Sequence, residues 1–238
     1  MNNFSKLNIQ VIYEDNHLIA VNKPAGWLVQ ADETGDLPLS EYVKDYIKRR
    51  YNKPGDVFLG TIHRLDRPVS GVVVYARTSK ALSRMNKLFQ DRQVQKEYVA
   101  IVENRPEELE GTLVHYLSKD KERNITTAFN KQKYKSAKEC KLHYKYIGGL
   151  SDHHILQIMP ITGRSHQIRV QLAKIGCSIL GDKKYNASHF NNDPGTIHLH
   201  AHRLSFIHPV KKEPVVIDAC VPEKDQIWQM YVHIVESL

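Results

Sequence analysis

The sequence contains little cysteine and no long apolar run. Its 238 residues include three cysteines, Cys140, Cys177 and Cys220, which are far apart and form no C-x-x-C motif. This pattern predicts reduced thiols and excludes a disulfide framework or a cysteine zinc site. The first residues lack the apolar run of a signal peptide, and no apolar stretch approaches the length of a membrane span. We therefore expect a cytoplasmic protein without a membrane partner.

Charge of one sign is in excess. Lysine and arginine number 34 against 26 aspartate and glutamate residues, which leaves a formal net charge of +8. Such an excess suits a polyanion such as nucleic acid, although composition alone does not establish the partner. Hydrophobic residues make up 41% of the chain, enough for a folded core without disulfides or a structural metal.

Hydrophobic periodicity predicts many strands with a few helices between them. The predicted strands cover residues 7–13, 17–23, 71–76, 94–102, 111–117, 154–161, 197–206 and 214–219. The predicted helices cover 38–51, the residues that follow the N-cap candidates Thr78 and Ser79, a segment that runs from the N-cap candidate Ser165 to about Ile175 with Gly176 behind it, and 223–235. This order indicates an α+β fold around a mixed, mostly antiparallel sheet, in a single domain over 1–238.

Three segments contain charged residues together with glycine or proline and lie between apolar stretches. They are residues 61–71, 160–169 and 179–185. The first precedes an apolar, β-branched run, so its side chains lie on a loop positioned by a buried strand, a common setting for catalytic groups. Each segment is equally compatible with a turn that carries solvated charges. The residue types alone therefore indicate a polyanion-binding protein with an acidic group between basic loops.

Several motifs occur in a defined order and spacing from about Val11 to about Pro222. They are residues 21–26, 63–66 followed by Ser70 and Gly71, 96–100, 163–170 with Gly181 and Asp182, and 200–209. In this arrangement the chain resembles the RluA family of RNA pseudouridine synthases. The resemblance implies a pseudouridine synthase fold and the isomerisation of uridine in RNA.

The resemblance places the catalytic aspartate at Asp66. Pseudouridine formation breaks the N1–C1′ bond, turns the uracil and rejoins it through C5, so it needs neither a cofactor nor a metal. It needs a carboxylate near the sugar and base, which acts as a nucleophile at C1′ or as a base. We expect Asp66 to act in one of these two ways on a flipped-out uridine.

Three further residues receive substrate-binding roles from the resemblance. Tyr98 provides a ring on which uracil can stack, and its hydroxyl could transfer a proton. Arg169 is the arginine expected to pair with the catalytic aspartate and to orient it. Arg64 either fills the gap left by the flipped nucleotide or binds a backbone phosphate.

Structured RNA, either ribosomal or transfer RNA, is the expected partner, and the protein is expected to be a monomer. Many relatives carry an S4-like domain before the core, and none is expected here. RNA selection then falls to the catalytic domain. Six lysines in residues 131–145 could assist it from either a polar-out strand or a mobile arm, and Arg164, Lys183 and Lys184 either bind phosphate or are ordinary surface charges.

Alternative hypotheses start from the same residues. In an RNA-binding or ribosome-assembly protein, Asp66 would only hold Arg169 in place, and a glycosylase would release the free base. His198, His200 and His202 share one strand face, but no carboxylate or cysteine accompanies them nearby as a metal ligand. The H-R-D sequence of kinases also occurs here, without the glycine-rich loop or D-F-G motif that a kinase requires.

Overall fold

The computed structural model describes residues 9–150, 152–188 and 195–238. Its strands are β1 (Val11–Glu14), β2 (Leu18–Lys23), β3 (Gly60–Thr61), β4 (Ser70–Ala76), β5 (Gln95–Val102), β6 (Glu110–Asp120), β7 (Ile125–Phe129), β8 (Lys138–Leu150), β9 (His153–Pro160), β10 (Leu199–Ile207) and β11 (Pro214–Asp218). Its α-helices are α1 (Leu39–Arg50), α2 (Ser79–Gln90), α3 (Gln167–Lys174), α4 (Gln226–Met230) and α5 (Val232–Glu236), with a 3-10 turn at Lys183–Tyr185. None of the helices in these ranges combines the length and apolar character that a bilayer crossing would need.

The chain divides into two compact units. Unit 1 comprises residues 1–95 and 201–220, and unit 2 comprises residues 96–200 and 221–238. The prediction of a single catalytic domain over the whole chain stays a prediction.

Unit 1 is built around β4, whose seven residues are all buried. β4 lies between β2 and β10 in the strand order, β1 extends the sheet beyond β2, β11 extends it beyond β10, and β3 pairs with β4. The β1–β2, β2–β4, β3–β4 and β10–β11 pairs are antiparallel. α2 packs on this sheet through Ala81 and Met85. Because β4 is buried on both faces, it fixes the end of the loop that precedes it.

Gly71 lets β4 approach β10 closely. Its φ of +115° lies in the region that side-chain-bearing residues avoid, and a Cβ there would meet the backbone of Ala201. The glycine that follows Ser70, just after the Asp66 loop, is therefore required for the close packing of β4 against β10.

Unit 2 contains a five-stranded antiparallel sheet in the order β5-β9-β8-β6-β7. One face near β5 packs on Trp228, Tyr231 and Val235 of the C-terminal segment. Near β6 and β7, Leu117 and Ala128 form a second cluster with Val170 of α3 and with Tyr185. Helix α3, which begins within the second charged segment, is thus anchored on the sheet by apolar contacts.

Most of the predicted elements are confirmed, and the first two residues of the strand predicted over 7–13 lie outside the described residues. Two details are wrong. α3 begins at Gln167 behind His166, which has a φ of +57° and no capping side chain, so Ser165 is not the cap. The predicted C-terminal helix is two short helices that are interrupted at Tyr231, whose hydroxyl bonds to backbone at Leu150 and His153.

Candidate active site

Asp66 lies in unit 1 on the loop between β3 and β4. Val69 N donates a hydrogen bond of 3.0 Å to the Asp66 carbonyl, so the chain turns tightly here. Leu65 and Val69 are buried, whereas Asp66 is half-buried and Arg64 is exposed. The apolar neighbours hold the loop on the core, and Asp66 between them is half-buried.

His63, the first residue of the motif, has a structural contact. Its Nε2 accepts a hydrogen bond from Val74 N at 3.0 Å, and its ring stacks on Phe89 at 5.1 Å between centroids. His63 thereby ties the Asp66 loop to β4 and to α2.

Lys23 cross-links the Asp66 loop to the end of β2. Its side chain is fully buried, with 0% exposure, and Nζ donates to the carbonyls of Pro24 (2.9 Å), Trp27 (2.8 Å) and Arg67 (3.1 Å). Gly26 N donates to the same Arg67 carbonyl at 2.8 Å. The carbonyl of Arg67, the residue after Asp66, is therefore held by one donor from the last residue of β2 and one from the segment that follows it.

The burial of Lys23 affects its protonation. Loss of hydration disfavours the charged amine and lowers the pKa of Lys23 to about 7, against the opposing attraction of Asp66. Arg67 lowers this pKa further. An amine that changes charge near neutral pH thus lies within the electrostatic range of Asp66.

Arg169 lies in unit 2, buried on α3. Its Nε and one terminal nitrogen donate to the two carboxylate oxygens of Asp182 at 2.7 and 2.8 Å. Both partners of this bidentate ion pair are buried, and Asp182 is only 1% exposed. The predicted pairing of Arg169 with Asp66 stays a prediction, and Asp182 is an additional partner that fixes the guanidinium plane.

Tyr185 supports the same arginine from the side. Its ring lies 5.1 Å from the guanidinium carbon of Arg169. Its hydroxyl accepts a hydrogen bond from Thr126 N (2.9 Å) and lies 2.7 Å from Nδ1 of His166. Burial raises the pKa of Tyr185, so the phenol keeps the proton with which it can donate to that nitrogen.

Tyr98 lies on β5 in unit 2, opposite Ile158 of β9. Val99 and Ile101 belong to the core, so Tyr98 extends from the other face of the strand and is half-buried. A partly exposed ring satisfies the first requirement for stacking on a base.

The basic side chains that were predicted to contact phosphate are exposed. They are Arg164, Lys183 and Lys184, and Lys184 Nζ also donates a hydrogen bond to the Asn124 carbonyl at 3.2 Å. A phosphate-binding role for them stays a prediction.

The three alternating histidines have structural neighbours. His198 lies 3.1 Å from Asp225, the ring of His200 packs on Trp228 with centroids 5.9 Å apart, and His202 contacts the Ala219 carbonyl. Across the ranges that the structure describes, no group of histidine, cysteine, aspartate and glutamate is arranged to hold a metal.

Sequence reasoning did not assign roles to two residues. Lys23 and Asp182 both lie inside recognised motifs. A lysine within a β-branched strand that runs into a proline was a detectable signal at Lys23. Asp182 had no such signal, because its partner is 13 residues away across a helix and a turn.

Comparison with known proteins establishes the family. Residues 17–174 match the model of the RNA pseudouridylate synthase family. The chain is 31% identical to tRNA pseudouridine synthase C of Yersinia pestis, over 93% of this chain and 88% of that protein. It is 30% identical to ribosomal large subunit pseudouridine synthase C of Buchnera aphidicola, over 92% of this chain and 69% of that protein.

A solved structure agrees on the fold. Human RNA Pseudouridylate Synthase Domain Containing 4 superposes with a TM-score of 0.77 at 23% identity, and the match covers 95% of this chain and 93% of that chain. The chain belongs to the RNA pseudouridylate synthase family. It is an isomerase that converts uridine to pseudouridine in RNA, and both the resemblance to the RluA family and the predicted α+β fold are confirmed.

Replacing Lys23 by Met tests the buried amine. Between about pH 7 and pH 10 the unfolded chain holds a proton that folded Lys23 has released, so this group makes wild-type stability rise with pH. The stability difference between wild type and K23M is expected to change in favour of wild type by about 1 kcal/mol per pH unit. Urea unfolding at several pH values measures it. K87M, at an exposed lysine of α2, controls for loss of a charge, and parallel curves for wild type and K23M would contradict the prediction.

Replacing Asp182 by Asn tests the buried ion pair. Because Arg169 would keep an uncompensated buried charge, the variant is expected to lose about 3 kcal/mol of unfolding free energy and most of its pseudouridine formation. D218N is the matched control, since Asp218 pairs with Arg203 near the surface and should contribute less than about 1 kcal/mol. Equal unfolding free energies for the two variants would rule out a special role for Asp182.

Proposed function

We propose that Asp66 is the catalytic carboxylate for this isomerisation. The observation that carries the proposal is the setting of its loop. Leu65 and Val69 anchor the chain on both sides, Lys23 and Gly26 hold the next residue, and Asp66 itself is half-buried. A carboxylate on a fixed backbone is what attack at C1′ or removal of a sugar proton requires.

Three residues serve the substrate around this carboxylate. Arg169 pairs with the Asp66 carboxylate and orients it. Tyr98 stacks on the uracil, and base–aromatic stacking of about 1–3 kcal/mol offsets much of the energy lost on flipping the base. Arg64 is exposed, which is compatible with either filling the vacated stack or binding a phosphate.

The substrate is a stem-loop of ribosomal or transfer RNA. Support comes from relatives that are named for large-subunit ribosomal RNA and for transfer RNA at similar identity. An enzyme that reads a splayed loop by shape can accept both. The enzyme acts as a cytoplasmic monomer, and the isomerisation consumes no cofactor because every atom of the uridine except one exchanged proton is retained.

Replacing Asp66 by Asn tests the catalytic assignment. The variant should lose pseudouridine formation by more than about a hundredfold, because an amide is neither a nucleophile nor a base here, and should keep its affinity for RNA. Total RNA labelled with tritium at uracil C5 reports the reaction, since rejoining through C5 releases the label. Release at the wild-type rate would overturn the assignment. Appearance of free uracil with the wild-type enzyme would indicate a glycosylase.

Pseudouridine mapping identifies the RNA. Total RNA from cells with and without this gene is compared, and we expect one uridine, or a few that share a stem-loop shape, to stay unmodified without it. The gene for D66N should not restore the modification, whereas the wild-type gene should. An unchanged map in both ribosomal and transfer RNA would contradict the proposed substrates.

A further inference from the structure

The lysine-rich segment consists of an exposed loop and a strand. Residues 130–137 form the loop after β7, and β8 follows. The loop is held in one shape by two hydrogen bonds, from Ala137 N to the Tyr134 carbonyl (3.0 Å) and from Gln132 Nε2 to the Ala137 carbonyl (3.3 Å). The segment is therefore a structured surface of unit 2.

Strand alternation gives this part of the sheet two unlike faces. In β8 the side chains of Cys140, Leu142 and Tyr144 are buried on one face, and the residues between them are on the other. The register pairs Lys141 with Val114 and Glu139 with Tyr116, and Tyr116 also pairs with Phe129. The open face thus carries Tyr116, Phe129 and Val114 from neighbouring strands beside Lys141, His143 and Lys145 of β8.

Two aromatic rings and a lysine lie together where β7 ends and the loop 130–137 begins. The rings of Phe129 and Tyr134 meet edge to face, with centroids 5.7 Å apart. Lys133 Nζ lies 5.5 Å from the first ring centroid and 5.6 Å from the second. Tyr134 remains 49% exposed. A large ring left in solvent, with a cation beside it, offers a flat surface to a ligand that is both aromatic and anionic.

The charge of the surface selects the partner. Residues 131–145 contain six lysines against Glu139 alone, and Glu139 is engaged by the Tyr116 hydroxyl at 3.4 Å. Lysines next to an exposed aromatic ring are the combination that binds single-stranded nucleic acid, because phosphates meet the cations and bases stack on the ring. A duplex hides its base faces, so the ring favours unpaired nucleotides.

The surface is continuous with the turn that leads into α3. Thr162 binds Lys141 in both directions, with its hydroxyl accepting from Lys141 N (2.9 Å) and its own N–H donating to the Lys141 carbonyl (3.1 Å). The next residues, Gly163, Arg164 and Ser165, are exposed. The turn thus adds one exposed cation, Arg164, next to Lys141, while α3 itself packs through Val170 against the opposite, buried face of this part of the sheet.

We propose that the surface formed by Tyr116, Phe129, Tyr134, Lys133 and Lys141 binds unpaired nucleotides of the RNA substrate other than the reacting uridine. It deepens the proposed function, since it presumes an RNA substrate, but it is a binding site separate from the carboxylate chemistry. It also gives the lysine-rich segment a role in RNA selection.

Replacing Tyr134 by Ala in the full chain tests the surface. The probe is a fluorescein-labelled single strand of about twelve nucleotides of mixed sequence, matched to the site sizes of stacking proteins. The variant is expected to bind it about tenfold more weakly than wild type, and Y134F, which keeps the ring, should bind like wild type. On labelled total RNA, Y134A should raise the apparent KM by a similar factor and leave kcat unchanged.

Controls separate this proposal from the catalytic one. K87A removes an exposed lysine of α2 in unit 1 and should leave the affinity within about twofold of wild type. D66N should stop tritium release without changing the affinity, the reverse of the pattern for Y134A. The same strand annealed to its complement as a blunt duplex serves as a second probe. Wild-type affinity in Y134A, or tighter binding of this duplex than of the single strand, would overturn the stacking surface.

Discussion

A charge that is removed from water requires the surrounding chain to supply its partners, and each unit contains such a charge beside a predicted site residue. In unit 1 the ammonium of Lys23 is enclosed by three carbonyl oxygens, one of them at Arg67, next to Asp66. In unit 2 the guanidinium of Arg169 is held side-on by Asp182. Because an unpaired charge in either place would cost much free energy, the backbone around it has few alternatives, and the predicted site residue takes its position from this constraint.

These buried charges fix the positions of their neighbours more than they contribute to the free energy of unfolding. A buried ion pair is often no more stable than apolar residues of equal volume, because desolvation cancels much of the attraction. Loss of one partner is nevertheless severe, since the other stays charged in an apolar site. The pair of Arg169 and Asp182 therefore enforces one orientation of the guanidinium, and the ring of Tyr185 excludes others. Precision of this kind is what catalysis by orientation demands.

The sequence predicted the elements whose signals are local. The β-branched run of β4, the Thr78 cap of α2 and Gly176 behind α3 each depend on neighbouring residues, and each occurs as expected. Long-range pairing was not predictable. Asp182 obtains its role from a helix 13 residues earlier, and His166 adopts a left-handed conformation at a cap position that Ser165 suited better by residue type. The aromatic surface was hidden for the same reason, because Phe129, Tyr134 and Tyr116 meet only through strand register and a turn.

Buried and exposed charges of this protein also differ in how strongly dissolved salt affects them. A buried ion pair such as that of Arg169 and Asp182 is little affected by dissolved salt, whereas the exposed lysines on β8 attract an anionic ligand only through a screened field. Binding through such lysines weakens steeply with ionic strength, because condensed counterions return to the phosphates. Stacking on Tyr134 has no such dependence, since it rests on apolar contact between flat rings. An enzyme that combines exposed lysines with a fixed ring can therefore release its RNA readily and still distinguish an unpaired loop from a duplex.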